Sequence, residues 1–478
     1  METVYLGLVV FLFILAVFDL SVGVSNDAVN FLNSAIGAKT AKFRTIIIIA
    51  AIGVFCGASM SNGMMEIARH GIFRPEQFYF NELMYIFLAV MVTDIVLLDI
   101  FNSLGMPTST TVSMVFELLG GTFALTLVKL FNDASGTLSI ADLMNTEKAL
   151  SVIMGIFVSV AIAFFFGTLV QWLSRLLFSF NYKRGLTWKI GLFGGVAATS
   201  IIYFMLIKGV KDLTFMTPEA KAYIHDHTLL IVGSCFVGFS LLMQLLHALK
   251  VNVFKVIVLM GTFALATAFA GNDLVNFIGV PLAGFASYTA YIANGQGDPS
   301  GLLMTSLNAP ARTPMLFLVA AGAIMVYSLA TSKKAYNVVK TSVDLARQDE
   351  GEEMFGSSRM ARSLVRSFTN VSTLVVRYTP ASVKQWVNSR MNKEEAILAE
   401  GAAFDMVRAS VNLVLAGLLI ALGTSLKLPL STTYVTFMVA MGTSLADRAW
   451  TRESAVFRVT GVLTVIGGWF ITAGVAFV

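Results

Sequence analysis

Charge is what this sequence has least of. Of its 478 residues, 13% are Asp, Glu, Lys or Arg, while 56% are hydrophobic. A soluble domain is about 25% charged. Half that charge, with apolar runs throughout, excludes an ordinary soluble domain and indicates an integral membrane protein. The runs are continuous and do not alternate every second residue, which excludes barrel strands and leaves helices. Cysteine is nearly absent: Cys56 and Cys235 both lie in apolar runs. Two cysteines make no disulfide framework, so buried free thiols are expected. Histidine is also scarce, at four residues. No nucleophile–base pair and no metal cluster of the usual spacing stands out, so the reading is not an enzyme. The net charge of +5 sits in loops beside apolar runs. That is a topology signal and implies no nucleic acid partner. The first run has no basic n-region and no A-x-A site, so it reads as a retained helix and not a signal peptide.

Apolar segments fall near 3–21, 46–60, 83–101, 111–130, 149–178, 190–208, 228–247, 256–270, 282–294, 313–331, 403–426, 433–446 and 459–478. Several are shorter than the roughly 20 residues that cross a bilayer. Short segments ending in Gly, Pro, Ser or Asn suggest broken or re-entrant helices inside the protein. The expected fold is an all-α polytopic membrane protein with about ten to twelve transmembrane helices and two helical hairpins. The stretch 333–400 is clearly polar, with eleven Lys or Arg, and its apolar positions recur at a loosely helical spacing. It reads as a soluble, cytoplasmic insert. The expected division is 1–210, 211–332, 333–400 and 401–478.

The informative feature is a repeat. "SNDAVNFLNSAIGA" and "GNDLVNFIGVPLAG" align Asn26, Asp27, Val29, Asn30 and Phe31 with Asn272, Asp273, Val275, Asn276 and Phe277. "MPTSTTVSMVF" and "LPLSTTYVTFM" align Pro107, Ser109, Thr110 and Thr111 with Pro429, Ser431, Thr432 and Thr433. The first pair is offset by 272 − 26 = 246 residues and the second by 429 − 107 = 322. The difference of 76 is close to the 68 residues of 333–400. The chain therefore reads as two homologous halves with the polar stretch inserted into the second. Polar motifs interrupting apolar segments at matching places in two halves point to a transporter's binding site.

The motifs have a chemistry. Asn26 and Asn30 share a helix face, and Asp27 neighbours Asn30 by the i, i+3 rule. Amides and a carboxylate converging in a dry place make an oxygen-rich site for a hard cation such as Na⁺, by analogy with Ca²⁺ and Mg²⁺, or for a proton. Cross-linking of helices by Asn is the structural alternative. Two copies with matching Asp favour function, because charges in spans are costly. Pro-x-Ser-Thr-Thr places Pro in a helix's first turn and Ser at its cap. Such a helix start points free N–H groups and hydroxyls at one spot, which suits an anion. A bare carboxylate beside an anion needs a bound cation or a ligand able to donate hydrogen bonds. Protonated phosphate can donate, and sulfate at neutral pH cannot. No Arg or Lys lies inside any of the four motifs, so selectivity leans on Asp27 and Asp273.

At these four motifs, "GVSNDAVNFLNSAIGA", "FAGNDLVNFIGVPLAG", "PTSTTV" and "PLSTTY", the sequence resembles the inorganic phosphate transporter (PiT) family. The likeness covers nearly the whole chain except 333–400. It implies a symporter of two inverted-topology repeats with re-entrant hairpins, a homodimer in the lipid bilayer of the plasma (inner) membrane. Its activity would be phosphate import by a cation gradient. It assigns Asn26, Asp27, Ser109, Thr110, Thr111, Asn272, Asp273, Ser431, Thr432 and Thr433 to phosphate. Asp27, Asn30, Asp273 and Asn276 are assigned to Na⁺ as coupling ion. Ser25 and the pair Ala28-Val29 depart from the family pattern. So do Val112 and Tyr434, where the family often has His; their lack of a proton relay tilts the reading toward Na⁺ over H⁺. The alternatives are a sulfate or other oxyanion symporter of the same fold, and an anion channel built on the same helix N-termini.

Other polar residues are weighed separately. Asp94 and Asp99, five apart in one span, lie on different faces, and one is a candidate for the ion path. Glu117 either supports the site or pairs with a base. Asp405 and Arg408 suit a structural i, i+3 pair. His225, Asp226 and His227 read as a solvated loop. Gly191, Gly194 and Gly195 read as helix packing.

Overall fold

The computed structural model describes residues 2–61, 65–133, 138–203, 217–295, 297–309, 313–348, 356, 358–426, 430–450 and 454–478. Pro429 of the second hairpin motif lies outside them. In chain order the helices are α1 (Glu2–Gly37), α2 (Phe43–Met60), α3 (Glu66–His70), α4 (Phe80–Leu104), α5 (Thr110–Asn132), α6 (Ile140–Leu143), α7 (Thr146–Phe178), α8 (Lys189–Ile202) and α9 (Pro218–Asp226). There follow α10 (Thr228–Ala248), α11 (Val253–Asn294), α12 (Met315–Thr331), α13 (Lys334–Leu345), α14 (Arg359–Tyr378), α15 (Ala381–Arg390), α16 (Met406–Ser425), α17 (Thr432–Ala446) and α18 (Ser454–Phe477). Hydrocarbon cannot satisfy open backbone groups, so apolar runs of this length close their hydrogen bonds within each helix. Among the described residues, nine helices are long and apolar enough to cross a bilayer, or ten if the pair α12–α13, bent by 70°, is one span. The chain is an all-α polytopic membrane protein.

The Asn-Asp motifs do not sit at helix breaks. The expected segment 3–21 continues as α1 to Gly37, and the expected segments 256–270 and 282–294 are one 42-residue helix, α11. The polar side chains find partners inside the protein, so the backbone need not open around them. Pro281 lies within α11; it removes one ladder hydrogen bond without ending the helix. α1 and α11 run antiparallel against each other. Tyr5 meets Tyr291 with ring centroids 5.9 Å apart, Leu12 packs at Gly284, Phe277 at Gly23, and Phe31 meets Phe269 at 5.3 Å. This register brings Asp27 and Asp273 to the same level.

Two helix pairs reach that level from opposite ends. α4 ends at Gly105, whose φ of +66° suits glycine at a helix C-terminus. α5 then returns, and Lys129 near its end pairs with Glu82 at the start of α4, 2.8 Å away. This base lies where Phe80 packs on Tyr5. α16 and α17 are based at the other end of α1, where the Ala403 N–H donates to the Gly37 carbonyl at 2.7 Å. Their tip meets α11 through the Asn272 amide, which donates to the Leu430 carbonyl at 3.3 Å.

Small residues set the closest helix contacts. Gly53 and Gly57 of α2 face the backbone of α11. A Cβ at Gly53 would stand 2.5 Å from the Phe263 carbonyl oxygen, and one at Gly57 would collide with that of Thr267. Close approach through small-xxx-small spacing is a membrane packing device. Gly57→Ala is expected to cost about 1–3 kcal/mol by forcing the helices apart. Gly155→Ala, where a Cβ meets nothing within 4 Å, is expected to leave thermal unfolding in detergent unchanged or raised. Equal melting of the two variants would contradict this packing account. Gly191, Gly194 and Gly195 likewise seat α8 on α10, against Gln244, Met243 and Ser240, as their spacing suggested. Cys56 and Cys235 are free, but half-buried and not fully enclosed. Both stand on helices with lipid-facing flanks, and on α10 only Met243 is fully buried.

The stretch 333–400 opens with α13, which lies against α1. Val338, Val339 and Leu345 are buried there, and Ser342 accepts a hydrogen bond from the Asn33 amide at 3.2 Å. Ser25 similarly bonds Ser332 at 2.7 Å. These two polar residues of the first motif therefore cross-link helices.

Candidate functional site

α5 and α17 both begin at the level of Asp27 and Asp273. Ser109 caps α5 by accepting from the Val112 N–H at 3.1 Å, and Ser431 caps α17 by accepting from the Tyr434 N–H at 3.1 Å. A side-chain oxygen at the cap satisfies one of the free donors of the first turn. The remaining first-turn donors carry the positive end of the helix dipole. The two threonines after each cap point into the site.

The contacts there are reciprocal. Asp27 accepts from Thr110 Oγ1 of its own half at 2.9 Å and from Thr433 Oγ1 of the other half at 2.7 Å. Asp273 accepts from Thr432 Oγ1 of its own half and from Thr111 Oγ1 of the other at 3.2 Å. The Asn30 amide donates to Thr432 and Thr433 at 3.1 and 3.0 Å, and the Asn276 amide to Thr110 and Thr111 at 3.0 and 3.1 Å. Each Asn also reaches the Asp of its own motif, at 3.4 Å. Exchanging 27 with 273, 30 with 276, 110 with 432 and 111 with 433 maps the network onto itself. All eight side chains are buried.

The other motif residues hold the tips in place. Asn26 accepts from the Thr108 N–H at 2.9 Å and donates to Asn102 at 2.8 Å and to the Met106 carbonyl at 3.2 Å. Asn272 donates to Asp273 at 2.7 Å as well as to Leu430. Ser109 and Ser431 use their hydroxyl oxygens as caps. Thr108 bonds Thr472 of α18 at 2.7 Å, and the Trp469 indole donates to the Pro107 carbonyl at 3.3 Å. α18 thus braces the first tip.

Chemically, the site gathers two carboxylates, four hydroxyls, two amides and two helix N-termini in a dry place. The N-termini and hydroxyls can donate to an oxyanion, and the carboxylates and amide oxygens can take a hard cation. Asn276 Oδ1 is buried and accepts no hydrogen bond from the described residues. Its counterpart Asn30 Oδ1 accepts from Thr436 at 3.0 Å.

Residues set aside in the sequence fall into place. Asp99 is half-exposed and pairs with Lys334 at 2.6 Å, whereas Asp94 is buried. Glu117 is buried on α5 and accepts from Ser113 at 2.7 Å, so its partner is a hydroxyl and not a base. Asp405 and Arg408 are not a side-chain pair. Asp405 takes Arg175 by two contacts, 2.6 and 2.9 Å, and Arg408 Nε donates to Asp447 at 2.7 Å. From Arg408 itself, Asp405 accepts only the backbone N–H, at 3.0 Å, because its carboxylate points across to Arg175 of α7. His225, Asp226 and His227 are exposed, as expected, but they form no loop: His225 and Asp226 close helix α9 and His227 leads directly into α10. Asp19, Arg175 and Asp447 escaped the sequence reading. The usable signal was a charge inside or at the edge of an apolar run.

Opposed helix pairs meeting at a buried oxyanion- and cation-competent site define a polytopic membrane carrier. The phosphate transporter family matches residues 23–342, and the chain belongs to it. Phosphate transport is thereby its function at family level. None of the curated proteins matches. A solved structure, "The sodium-dependent phosphate transporter", is similar over 98% of this chain and 98% of its own, with a TM-score of 0.63 and 17% identity. That likeness is one of fold.

Proposed function

We propose that this protein imports inorganic phosphate by coupling it to a cation gradient, Na⁺ in preference to H⁺. Phosphate binds between the N-termini of α5 and α17, on Thr110, Thr111, Thr432 and Thr433, with Ser109 and Ser431 shaping the two tips. Na⁺ binds at Asp27 with Asn30 and at Asp273 with Asn276. The observation that carries this reading is the reciprocal network: each carboxylate is held by hydroxyls from both tips. Phosphate entering between the tips replaces those hydroxyl contacts, and Na⁺ compensates the carboxylate charge beside the anion. The unpartnered oxygen of Asn276 beside Asp273 supports a cation there, since such buried atoms otherwise carry a desolvation cost. The name of the similar solved structure points to Na⁺ as well.

The same network supports two inverted repeats, because antiparallel α1 and α11 exchange partners under a two-fold swap. Transport then follows by rocking of the halves about the fixed site. A homodimer in the plasma membrane, with 333–400 on the cytoplasmic side, is the setting this reading implies.

Uptake of labelled phosphate into proteoliposomes tests it. Accumulation driven by an inward Na⁺ gradient and untouched by excess sulfate is expected. Accumulation under a pH gradient alone would replace Na⁺ by H⁺. Competition by sulfate would make the substrate a broader class of oxyanion. Equilibration without accumulation would make the protein a channel.

A further inference from the structure

A second group of buried acids stands apart from the phosphate site. Asp19 of α1, Asp94 of α4 and Glu117 of α5 are 0%, 1% and 3% exposed. Phe80 packs on Tyr5 and the Asn102 amide donates to the Val22 carbonyl at 2.8 Å, so α4 runs alongside α1 and brings Asp94 near the level of Asp19, with Glu117 of the returning α5 beside it. Asp19 is eight residues before Asp27 and Glu117 is seven after Thr110, so the group sits roughly 10–12 Å along the same two helices. Five of its six carboxyl oxygens accept no hydrogen bond from a described donor, and the sixth accepts from Ser113.

Three bare carboxylates cannot stand together in a dry place without compensation. The charged groups on the surrounding helices do not supply it. Lys334 of α13 is engaged by half-exposed Asp99, Lys340 of the same helix is exposed, and Lys129 of α5 is engaged by Glu82 and the Gln77 carbonyl. Arg458 of α18 donates to the Arg347 and Ala449 carbonyls, and Arg408 of α16 to Asp447. Arg44 of α2 and Lys255 of α11 belong to the far, Gly37 end. The remaining acids on the packed helices, Asp27, Asp273, Glu2 and Asp344 among them, carry the same sign. Among the described residues, no three His, Cys, Asp or Glu side chains are arranged to hold a metal ion.

Two carboxylates are both acceptors, so their pairing requires a proton between them. We infer that Asp19, Asp94 and Glu117 form a proton-binding site, distinct from the phosphate site, whose protons are released and rebound during the transport cycle. A proton shared between Asp94 and each neighbour ties α1, α4 and α5 together. These are the helices that carry Asp27 and the first hairpin tip. Opening them to water lets the protons leave as hydronium, and the ionised acids then repel one another and hold the helices apart. Return to the closed arrangement takes the protons back. Na⁺-driven phosphate uptake thereby acquires a pH dependence that Asp27 and Asp273 do not set.

Infrared pH-difference spectra of the purified full-length protein test the site without relying on transport. The protonated-carboxyl C=O band should shrink in Asp94→Asn and in Glu117→Gln, with amide bands and thermal unfolding unchanged. A band of wild-type size in both would overturn the inference. Should Asp94→Asn fail to fold, Asp19→Asn and Glu117→Gln carry the same comparison. Uptake under a fixed Na⁺ gradient provides the second reading. A one-proton step changes a rate by up to about tenfold per pH unit. That dependence should flatten in Glu117→Gln while the Na⁺ requirement persists. Phosphate's own titration is common to both proteins and cancels. An unchanged pH profile would overturn the inference, and so would loss of the Na⁺ requirement, which would make the group a Na⁺ site. Absence of phosphate uptake by the wild type would instead count against the proposed function, and the infrared result would still decide the proton site.

Discussion

Asp27→Asn and Asp273→Asn, made singly, are each expected to lower Na⁺-driven phosphate uptake roughly 30- to 5000-fold, the range for removing one partner of a buried charge interaction. The substitution keeps the volume and changes two things. It removes the negative charge that would hold Na⁺, and it turns one accepting oxygen into a donating NH₂. At Asp27 that NH₂ would face one of two hydroxyls that now donate to the carboxylate from opposite tips, Thr110 to Oδ2 and Thr433 to Oδ1. At Asp273 it would face Thr432 and Thr111 in the same way. The matching roles predict matching losses. Thr433→Ser, which keeps the donor, should retain most uptake, and Thr433→Val should lose most of it. Initial rates in proteoliposomes across Na⁺ concentrations are the measurement. Either Asp variant staying within about threefold of wild type, with its Na⁺ dependence intact, would remove that carboxylate from the site, because the ratio of rates measures the stabilisation lost.

Arg175→Met is expected to destabilise the protein by about 3–5 kcal/mol, the cost of leaving buried charges uncompensated. Arg175, Arg408, Asp405 and Asp447 are all fully enclosed. Arg175 joins Asp405 at 2.6 and 2.9 Å and Asp447 at 2.7 Å from both Nε and Nη2. Arg408 completes the set on Asp447 at 2.7 Å, giving two positive and two negative charges. Bidentate guanidinium–carboxylate geometry makes these contacts strong. They tie α7 to the base of the second helix pair, where α16 starts and α17 ends. Without Arg175, two carboxylates share one guanidinium. Arg175→Met combined with Asp405→Asn restores the balance as an Arg408–Asp447 pair, so the double variant should recover part of the loss. Thermal unfolding after detergent extraction reads this directly. A single variant as stable as wild type, or a double variant worse than the sum of the singles, would contradict the charge-balance account.

The two networks differ in how far the sequence announced them. Asp27, Asn30, Thr110, Thr111 and their counterparts stood out because polar residues recurred in apolar surroundings at matching offsets. Asp405 and Arg408 stood out too, but as a local pair. Their partners Arg175 and Asp447 are 230 and 39 residues away from Asp405 and Arg408 respectively. No local spacing rule reaches that far. Asp19 was hidden for a different reason, as a single charge within a run whose average hydropathy it hardly lowered. The hairpin motifs were read as one set of hydroxyls, whereas the folded tips divide them: serine turns back to cap its own helix and threonine points across. The Asn-Asp motifs looked like helix ends because polar side chains in lipid would break a helix, but inside the protein α1 and α11 run straight through them.

The sequence by itself determined the membrane class, the helical secondary structure, the duplication and the identity of the oxygen-bearing residues. These follow from hydropathy, helix-start chemistry and internal similarity, all of which act over a turn or two or repeat along the chain. Only the tertiary structure decided which threonine serves which aspartate, and that Asp27 is held by Thr433 from 406 residues away. It also decided that Asp19, Asp94 and Glu117 share one buried space. Those pairings depend on the antiparallel register of α1 on α11 and on helix pairs meeting tip to tip. That register is set by the packing of whole helix faces and not by any local preference.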